Sequence, residues 1–349
     1  MSNDLLCGIK YKLFVEVSME TLAKWKVVIT DYNYPDLSIE EKELARWNAQ
    51  VVPAQCRTPE EVLAVARDAD AIISQYAPIT REVIYGLNNC KAIGRYGIGV
   101  DNIDVQAATE RGIAVINVPS YCEEEVSDHT MALLLAWARR IVHYATEIRQ
   151  GTWDWKTGRP IHRLRGQTLG LLGFGKIARL VAKKAKAFGL QVIAYDPYLP
   201  DEIFSKEEVE RVSLEDLLTR SDFLSIHVPL TESTRHLINR ETIAKMKPTA
   251  CLINTSRGGV VDEQALIWAL QEGRLAGACL DVLDSEPPQK ENLLLTMPQV
   301  ILSPHVAWYS EESQVELRKN IAQDIGRALH GLLPQGLVNR ELRESFRAS

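Results

Sequence analysis

Short apolar runs alternate along this chain with stretches whose apolar positions recur at helical spacing. Apolar runs without polar alternation predict strands buried on both faces, and the periodic stretches predict helices that cover them. Strands are expected at 26–30, 50–53, 71–74, 91–95 and 113–118. A second series is expected at 168–172, 191–195, 223–228, 250–254, 277–282 and 300–303. Helical patterns separate them, as at 59–66 and 105–110. Two such series predict an α/β fold of two doubly wound parallel-sheet, Rossmann-like domains. Residues 123–150 read as one long helix with an apolar middle at 131–138, 151–160 as an irregular loop, and 311–329 as a last helix. Residues 1–24 precede the first clear strand and fit an extra strand, a disordered arm or a wrongly assigned start.

With 349 residues the chain can build two full cores. A net charge of -6 argues against nucleic acid as a direct partner. Six scattered cysteines form no Cys-x-x-Cys pair, and several lie inside apolar runs, so reduced thiols and a cytoplasmic location are expected. Seven histidines include no His-x-x-x-His pair, and no metal is expected. No signal peptide or membrane-spanning run stands out.

The most informative segment is Thr168-Leu-Gly-Leu-Leu-Gly-Phe-Gly-Lys-Ile-Ala178, followed by a second apolar run that ends on Asp196. Strand, glycine turn, helix, strand and acid form the dinucleotide-binding fingerprint in its required context. Gly173 permits the tight turn, and Gly175 lets a pyrophosphate approach the helix N-terminus. Asp196 suits a ribose 2′-hydroxyl and repels a 2′-phosphate, which favours NAD over NADP.

Ligands of open parallel sheets bind beyond the carboxyl ends of the strands. Three second-series strands end near Arg257, Glu286 and His305. These residue types suit hydride transfer to a 2-oxo acid. An arginine fork binds a carboxylate or polarises the adjacent carbonyl. A histidine donates or removes the proton, and a carboxylate orients its ring.

The chain resembles the D-isomer-specific 2-hydroxyacid dehydrogenases over nearly its whole length after Trp25. The matching segments include Tyr96-Gly-Ile-Gly-Val-Asp-Asn-Ile-Asp104, Val126-Ser-Asp-His-Thr130, the glycine fingerprint, His227-Val-Pro-Leu230, Ile253-Asn-Thr-Ser-Arg-Gly-Gly259, Glu286-Pro-Pro288 and Pro304-His305. The resemblance implies a catalytic arginine, glutamate and histidine at Arg257, Glu286 and His305. It implies NAD contacts at Gly173, Phe174, Gly175, Lys176, Ile177, Asp196, His227, Val228, Pro229, Thr234, Thr255, Ser256 and Asp281, the last through the nicotinamide carboxamide.

Asn117-Val-Pro-Ser-Tyr-Cys-Glu-Glu-Glu-Val126, Trp153-Asp-Trp155 and His305-Val-Ala-Trp-Tyr-Ser-Glu311 resemble the branch containing the C-terminal-binding-protein corepressors and their bacterial relatives. That branch implies a substrate pocket formed by Arg95, Tyr96, Gly97, Ile98 and Trp308, with Arg95 a second candidate for the substrate carboxylate. The family layout implies a discontinuous substrate domain, 25–125 with 310–349, around an NAD domain at 126–309. It also implies a homodimer with a contact near 131–138, for which core packing is the alternative. The expected activity interconverts a small 2-oxo acid and a D-2-hydroxy acid. A dinucleotide-sensing protein and a short-form phosphoglycerate dehydrogenase are the alternatives.

Weaker signals have plainer readings. Glu123-Glu-Glu125 is an acidic first helical turn. His129 reads as a structural histidine, Trp153 and Trp155 as interface aromatics, and Tyr76 as a strand-end residue near the cleft.

Overall fold

The computed structural model describes residues 24–347, so the expectation for 1–24 lies outside the described residues except at Lys24. Ten parallel strand pairings assemble two sheets. The first holds β1 (Trp25–Ile29), β2 (Ala49–Pro53), β3 (Ala71–Ser74), β4 (Ala92–Arg95) and β5 (Ala114–Ile116), in the order β2-β1-β3-β4-β5. The second holds β6 (Thr168–Leu172), β7 (Gln191–Tyr195), β8 (Glu210–Arg211), β9 (Phe223–Ile226), β10 (Cys251–Asn254), β11 (Gly277–Leu280) and β12 (Val300–Leu302). Its order is β12-β11-β10-β9-β6-β7-β8, which reverses direction between β6 and β9 and opens a ligand crevice there. Strands β3, β9, β10 and β11 are buried at every residue, as sheets covered on both faces require.

Helices α1 (Ser38–Ala45), α2 (Pro59–Ala66), α3 (Arg81–Gly86) and α4 (Val105–Glu110) connect the first sheet. The two sheets are joined by α5 (Glu123–Ala138) and α6 (Ile141–Arg149). Helices α7 (Lys176–Ala187), α8 (Asp201–Lys206), α9 (Leu214–Arg220), α10 (Arg240–Ala244) and α11 (Glu263–Gln271) belong to the second sheet, and α12 (Glu311–Leu329) follows it.

The expected single helix over 123–150 is corrected to two. Arg140 sits in the left-handed region at φ 55° and ends the first helical run. Trp137 anchors that end, edge-on to Phe223, with the Arg140 guanidinium 5.0 Å above its ring. The apolar middle is largely taken up inside the chain. Met131, Leu133 and Leu134 pack with Leu169, Leu171 and Ile253 in one core. Exposed apolar surface lies instead on Ile141, Val142 and Ile148 of α6 and on Trp153 and Trp155 beyond it. The expected loop at 151–160 contains a 3-10 turn, Trp155–Gly158.

Helix α12 returns to the first sheet. Its Ile321 and Ile325 lie so close over Gly94 that a side chain there would meet both at about 3 Å. A reciprocal cap starts the helix: Ser310 Oγ accepts from the Ser313 amide at 2.9 Å and Ser313 Oγ from the Ser310 amide at 2.8 Å. Farther along, Arg318 donates to both Glu40 carboxylate oxygens at 2.8 and 2.7 Å, tying α12 to α1. Glu40 also accepts from the Tyr96 hydroxyl at 2.8 Å, so the pair reaches the loop after β4.

Both charges of this pair are buried, so losing one partner strands the other. Arg318→Leu is therefore expected to cost about 3–5 kcal/mol in urea unfolding at pH 7. Pairing it with Glu40→Gln should recover part of that loss. A single-variant cost under about 1 kcal/mol would contradict the role given to the pair.

Candidate active site

The crevice is built from strand ends. Gly173, after β6, has φ +90°, and a Cβ there would lie 2.7 Å from the His227 carbonyl oxygen. Gly175 then caps α7 without a side-chain bond, and nothing stands within 4 Å of a Cβ placed on it. The first-turn amides of α7 therefore face open space, as a pyrophosphate site needs. Strand β9 delivers His227, β10 delivers Thr255, Ser256 and Arg257, and β11 delivers Asp281. Strand β12 runs into Ser303 and His305, while β4 of the other sheet runs into Arg95 and the loop of residues 96–103. Gly175, His227, Thr255, Ser256, Arg257, Asp281, His305 and Arg95 line one cleft of about 430 Å³.

His305 Nδ1 lies 2.5 Å from Glu286 Oε2. Glu286 Oε1 accepts from the Leu283 amide at 3.0 Å, which fixes the carboxylate. Among the described residues nothing bonds His305 Nε2, so the second ring nitrogen is free for a ligand. Arg257 donates Nε to the Asp101 carboxylate at 3.2 Å and Nη1 to the Ser256 carbonyl at 2.8 Å. Its Nη2 lies over Gly99, where any Cβ would stand 1.8 Å away. Only glycine allows the guanidinium to cross the loop there.

Residues 131–307 match the family model described as D-isomer specific 2-hydroxyacid dehydrogenase, NAD binding domain. A D-3-phosphoglycerate dehydrogenase of Methanocaldococcus jannaschii is 43% identical over 90% of this chain. The chain spans 59% of that relative's own length. A glyoxylate reductase of Korarchaeum cryptofilum is 39% identical over 87% of this chain and 91% of its own. Among solved structures, a glyoxylate reductase of Paecilomyes thermophila superposes with a TM-score of 0.82 at 31% identity, covering 91% of this chain and 99% of its own. The chain belongs to the D-isomer specific 2-hydroxyacid dehydrogenase family. NAD(H) is the cofactor indicated by the family model and the named dehydrogenase relatives.

Of the dehydrogenase residues expected from sequence, Arg95, Tyr96, Ile98, Gly175, Lys176, Ile177, His227, Val228, Pro229, Thr255, Ser256, Arg257, Asp281, His305 and Trp308 line this cleft. Several others have different roles. The Phe174 side chain is fully buried and stacks on Phe204 at 4.9 Å, so only its amide remains at the turn. That amide donates to Asp196 at 3.0 Å, and the Tyr198 amide takes the other carboxylate oxygen. Asp196 thus closes the glycine turn while staying half-exposed at the end of β7. Thr234 lies outside the cleft lining and braces a turn with Pro229 and Thr231. Gly97, at φ +144°, is covered by the Arg95 guanidinium. The Tyr96 hydroxyl is committed to Glu40.

Arg95 is the electrostatic anomaly. Its Nε is buried without a hydrogen-bond partner, and among the described residues its guanidinium makes no ion pair. Burial, and then the like charge of Arg257, lower its pKa. A half-buried cation left in this condition favours an incoming anion. Burial raises the Glu286 carboxyl, but the His305 hydrogen bond and charge, with help from Leu283 and Arg257, outweigh it and leave its pKa below the usual value. Sequence reasoning missed Asp101 and Asn254. Asp101 lies inside a quoted motif, but its partner is 156 residues away. Asn254 donates to the Arg257 carbonyl at 2.9 Å and shapes the turn after β10.

His227 is half-buried at the cleft with a ring nitrogen 2.9 Å from Ser225 Oγ, and desolvation drives its pKa down to about 4. The unfolded chain binds this proton first, near the ordinary value of 6.5. Stability should therefore fall as pH drops from 6.5 toward 4, by about 3 kcal/mol from this group. Urea unfolding at pH 7 and pH 4.5 should show a smaller acid loss in His227→Gln than in wild type. Equal losses would contradict the desolvated, neutral ring.

Proposed function

We propose that this protein interconverts a small 2-oxo acid and the corresponding D-2-hydroxy acid with NAD(H). One observation carries the reading: the Glu286-held His305 and the anion-seeking Arg95 and Arg257 share one cleft with the open N-terminus of α7. The first turn of α7 holds the cofactor pyrophosphate and Asp196 its ribose. The nicotinamide supplies the hydride chemistry when bound.

The protein's own residues do the rest. Arg95 takes the substrate carboxylate into the aromatic wall of Tyr121 and Trp308. Arg257, held by Asp101, polarises the 2-oxo group with its free edge. His305 gives a proton from Nε2 to the carbonyl oxygen during reduction and removes it during oxidation. Glu286 keeps Nδ1 protonated and the ring oriented. The substrate domain is 25–125 with 310–349, and the NAD domain is 126–309.

A second reading is a phosphorylated 2-hydroxy acid. It is favoured by the likeness to a phosphoglycerate dehydrogenase and by two guanidiniums facing one cleft. Five described cysteines are free, which suits a reducing cytoplasm. No described helix is long and apolar enough to cross a membrane. The exposed apolar residues of α6 and the tryptophan segment suit a homodimer.

NADH absorbance should fall when glyoxylate, pyruvate, hydroxypyruvate or its phosphate, or a bulkier 2-oxo acid is supplied. His305→Asn should lower kcat by about 100-fold or more, while NADH still binds. Full activity in that variant would contradict the acid–base assignment. No turnover across the panel, with tight NADH binding, would favour the dinucleotide-sensing alternative. Sedimentation should show a dimer at micromolar concentration that Ile141→Glu with Ile148→Glu converts to monomer. An unchanged mass would place any subunit contact elsewhere.

A further inference from the structure

His305 occupies the left-handed backbone region at φ 53°, uncommon for a residue with a side chain. Such a conformation persists where its surroundings over-determine it. Here one carboxylate does much of that work. Asp281 Oδ1 accepts from Ser303 Oγ at 2.6 Å and from the Val306 amide at 3.0 Å. Asp281 Oδ2 accepts from the Ala307 amide at 2.9 Å. The Asp281 carbonyl accepts from the His305 amide at 2.8 Å. Trp308 Nε1 then donates to the His305 carbonyl at 3.0 Å and closes the turn.

The Asp281 side chain is almost wholly buried, and no lysine or arginine pairs with it among the described residues. The nearest compensating group is His129 on α5. Its Nε2 lies 2.9 Å from Ser303 Oγ and 3.5 Å from Asp281 Oδ1. Ser303 has one hydroxyl proton, and the ionised carboxylate can only accept it. The hydroxyl must therefore accept from His129, which places a proton on His129 Nε2. The result is a directed chain, His129 to Ser303 to Asp281, ending at the turn that aims His305.

We infer that His129 and Ser303 are positioning residues for the acid–base centre, acting through Asp281 on the 303–307 turn. This rests on the reading of His305 given above. It also assigns the Asp281 carboxylate first to the protein's own turn, with any cofactor contact added to that role.

The test uses the full chain and its best 2-oxo acid. Ser303→Ala removes the bridging hydroxyl with little change in volume, and Ser303→Thr keeps it. Ser303→Ala should lower kcat roughly 10- to 100-fold, with KM and NADH affinity within about threefold of wild type. Ser303→Thr should restore most of that loss. His129→Gln should lower kcat in the same way. Wild-type kcat in Ser303→Ala, even with a lower Tm, would overturn the inference, because a merely structural hydroxyl moves only Tm. Equal loss in the Ala and Thr variants would overturn it too. His305→Asn run alongside separates the two ideas: turnover unaffected there defeats the acid–base reading itself. Turnover lost there but intact in Ser303→Ala defeats only the positioning role.

Discussion

In a parallel sheet every strand ends on the same rim, so the chain must leave each strand where its neighbours also leave theirs. The active cleft follows from that constraint. His227, Arg257, Asp281 and His305 come from four strand ends of the second sheet and converge without any local sequence relation. The first sheet supplies Arg95 by the same rule. Each group is then aimed by a short turn past its strand. Gly173 turns beneath the His227 carbonyl, Asn254 shapes the turn at Arg257, and Asp281 holds the turn at His305.

The charges in the cleft divide by whether the protein has already answered them. Arg257 has Asp101, Lys176 has Glu123 at 3.6 Å, and Asp281 has amides and a hydroxyl. Arg95 has none of these among the described residues, although its Nε is out of water. The cost of that arrangement falls on the ligand-free protein, and an anionic ligand relieves it. Under the proposed function, preference for a carboxylate would come partly from an interaction that the fold withholds. The Arg318–Glu40 pair is the contrast: more deeply buried but matched, it holds α12 and the loop of Tyr96 in place.

Much of the fold was legible because buried parallel strands write themselves as unbroken apolar runs. Residues 59–66, 105–110 and 311–329 were read as the helices observed, and caps such as Ser310 explain their sharp starts. Strand β8 escaped because it is two charged residues at a sheet edge. The break at Arg140 escaped because no glycine or proline marks it; tertiary packing of Trp137 does. In the site, residue types at strand ends were readable, but their commitments were not. Phe174 sits in the fingerprint yet sends its ring into the core, and Tyr96 gives its hydroxyl to Glu40. Asp101 and Arg257 meet only after folding brings the two sheets together.

If the cleft takes 2-oxo acids as proposed, its walls divide into two kinds. The groups proposed to act on the 2-oxo centre sit on short turns braced by hydrogen bonds, as a preorganised site requires. The wall that meets the rest of the substrate is different in kind. Tyr121 and Trp308 face each other at 6.5 Å, and Trp308 belongs to the segment that leads from His305 into α12. Ser313 in the first turn of α12 donates to the Trp308 carbonyl at 2.7 Å, which ties this side of the wall to that helix. Arg318 fixes α12 to α1, and Trp308 Nε1 also donates to the His305 carbonyl at 3.0 Å, so Trp308 is tied both to the helices over the first sheet and to the turn at His305. The few residues between them join chemistry to selectivity. Under the proposed function, a change at Trp308 therefore also reaches the turn that aims His305, whereas a change at Tyr121 leaves that hydrogen bond in place.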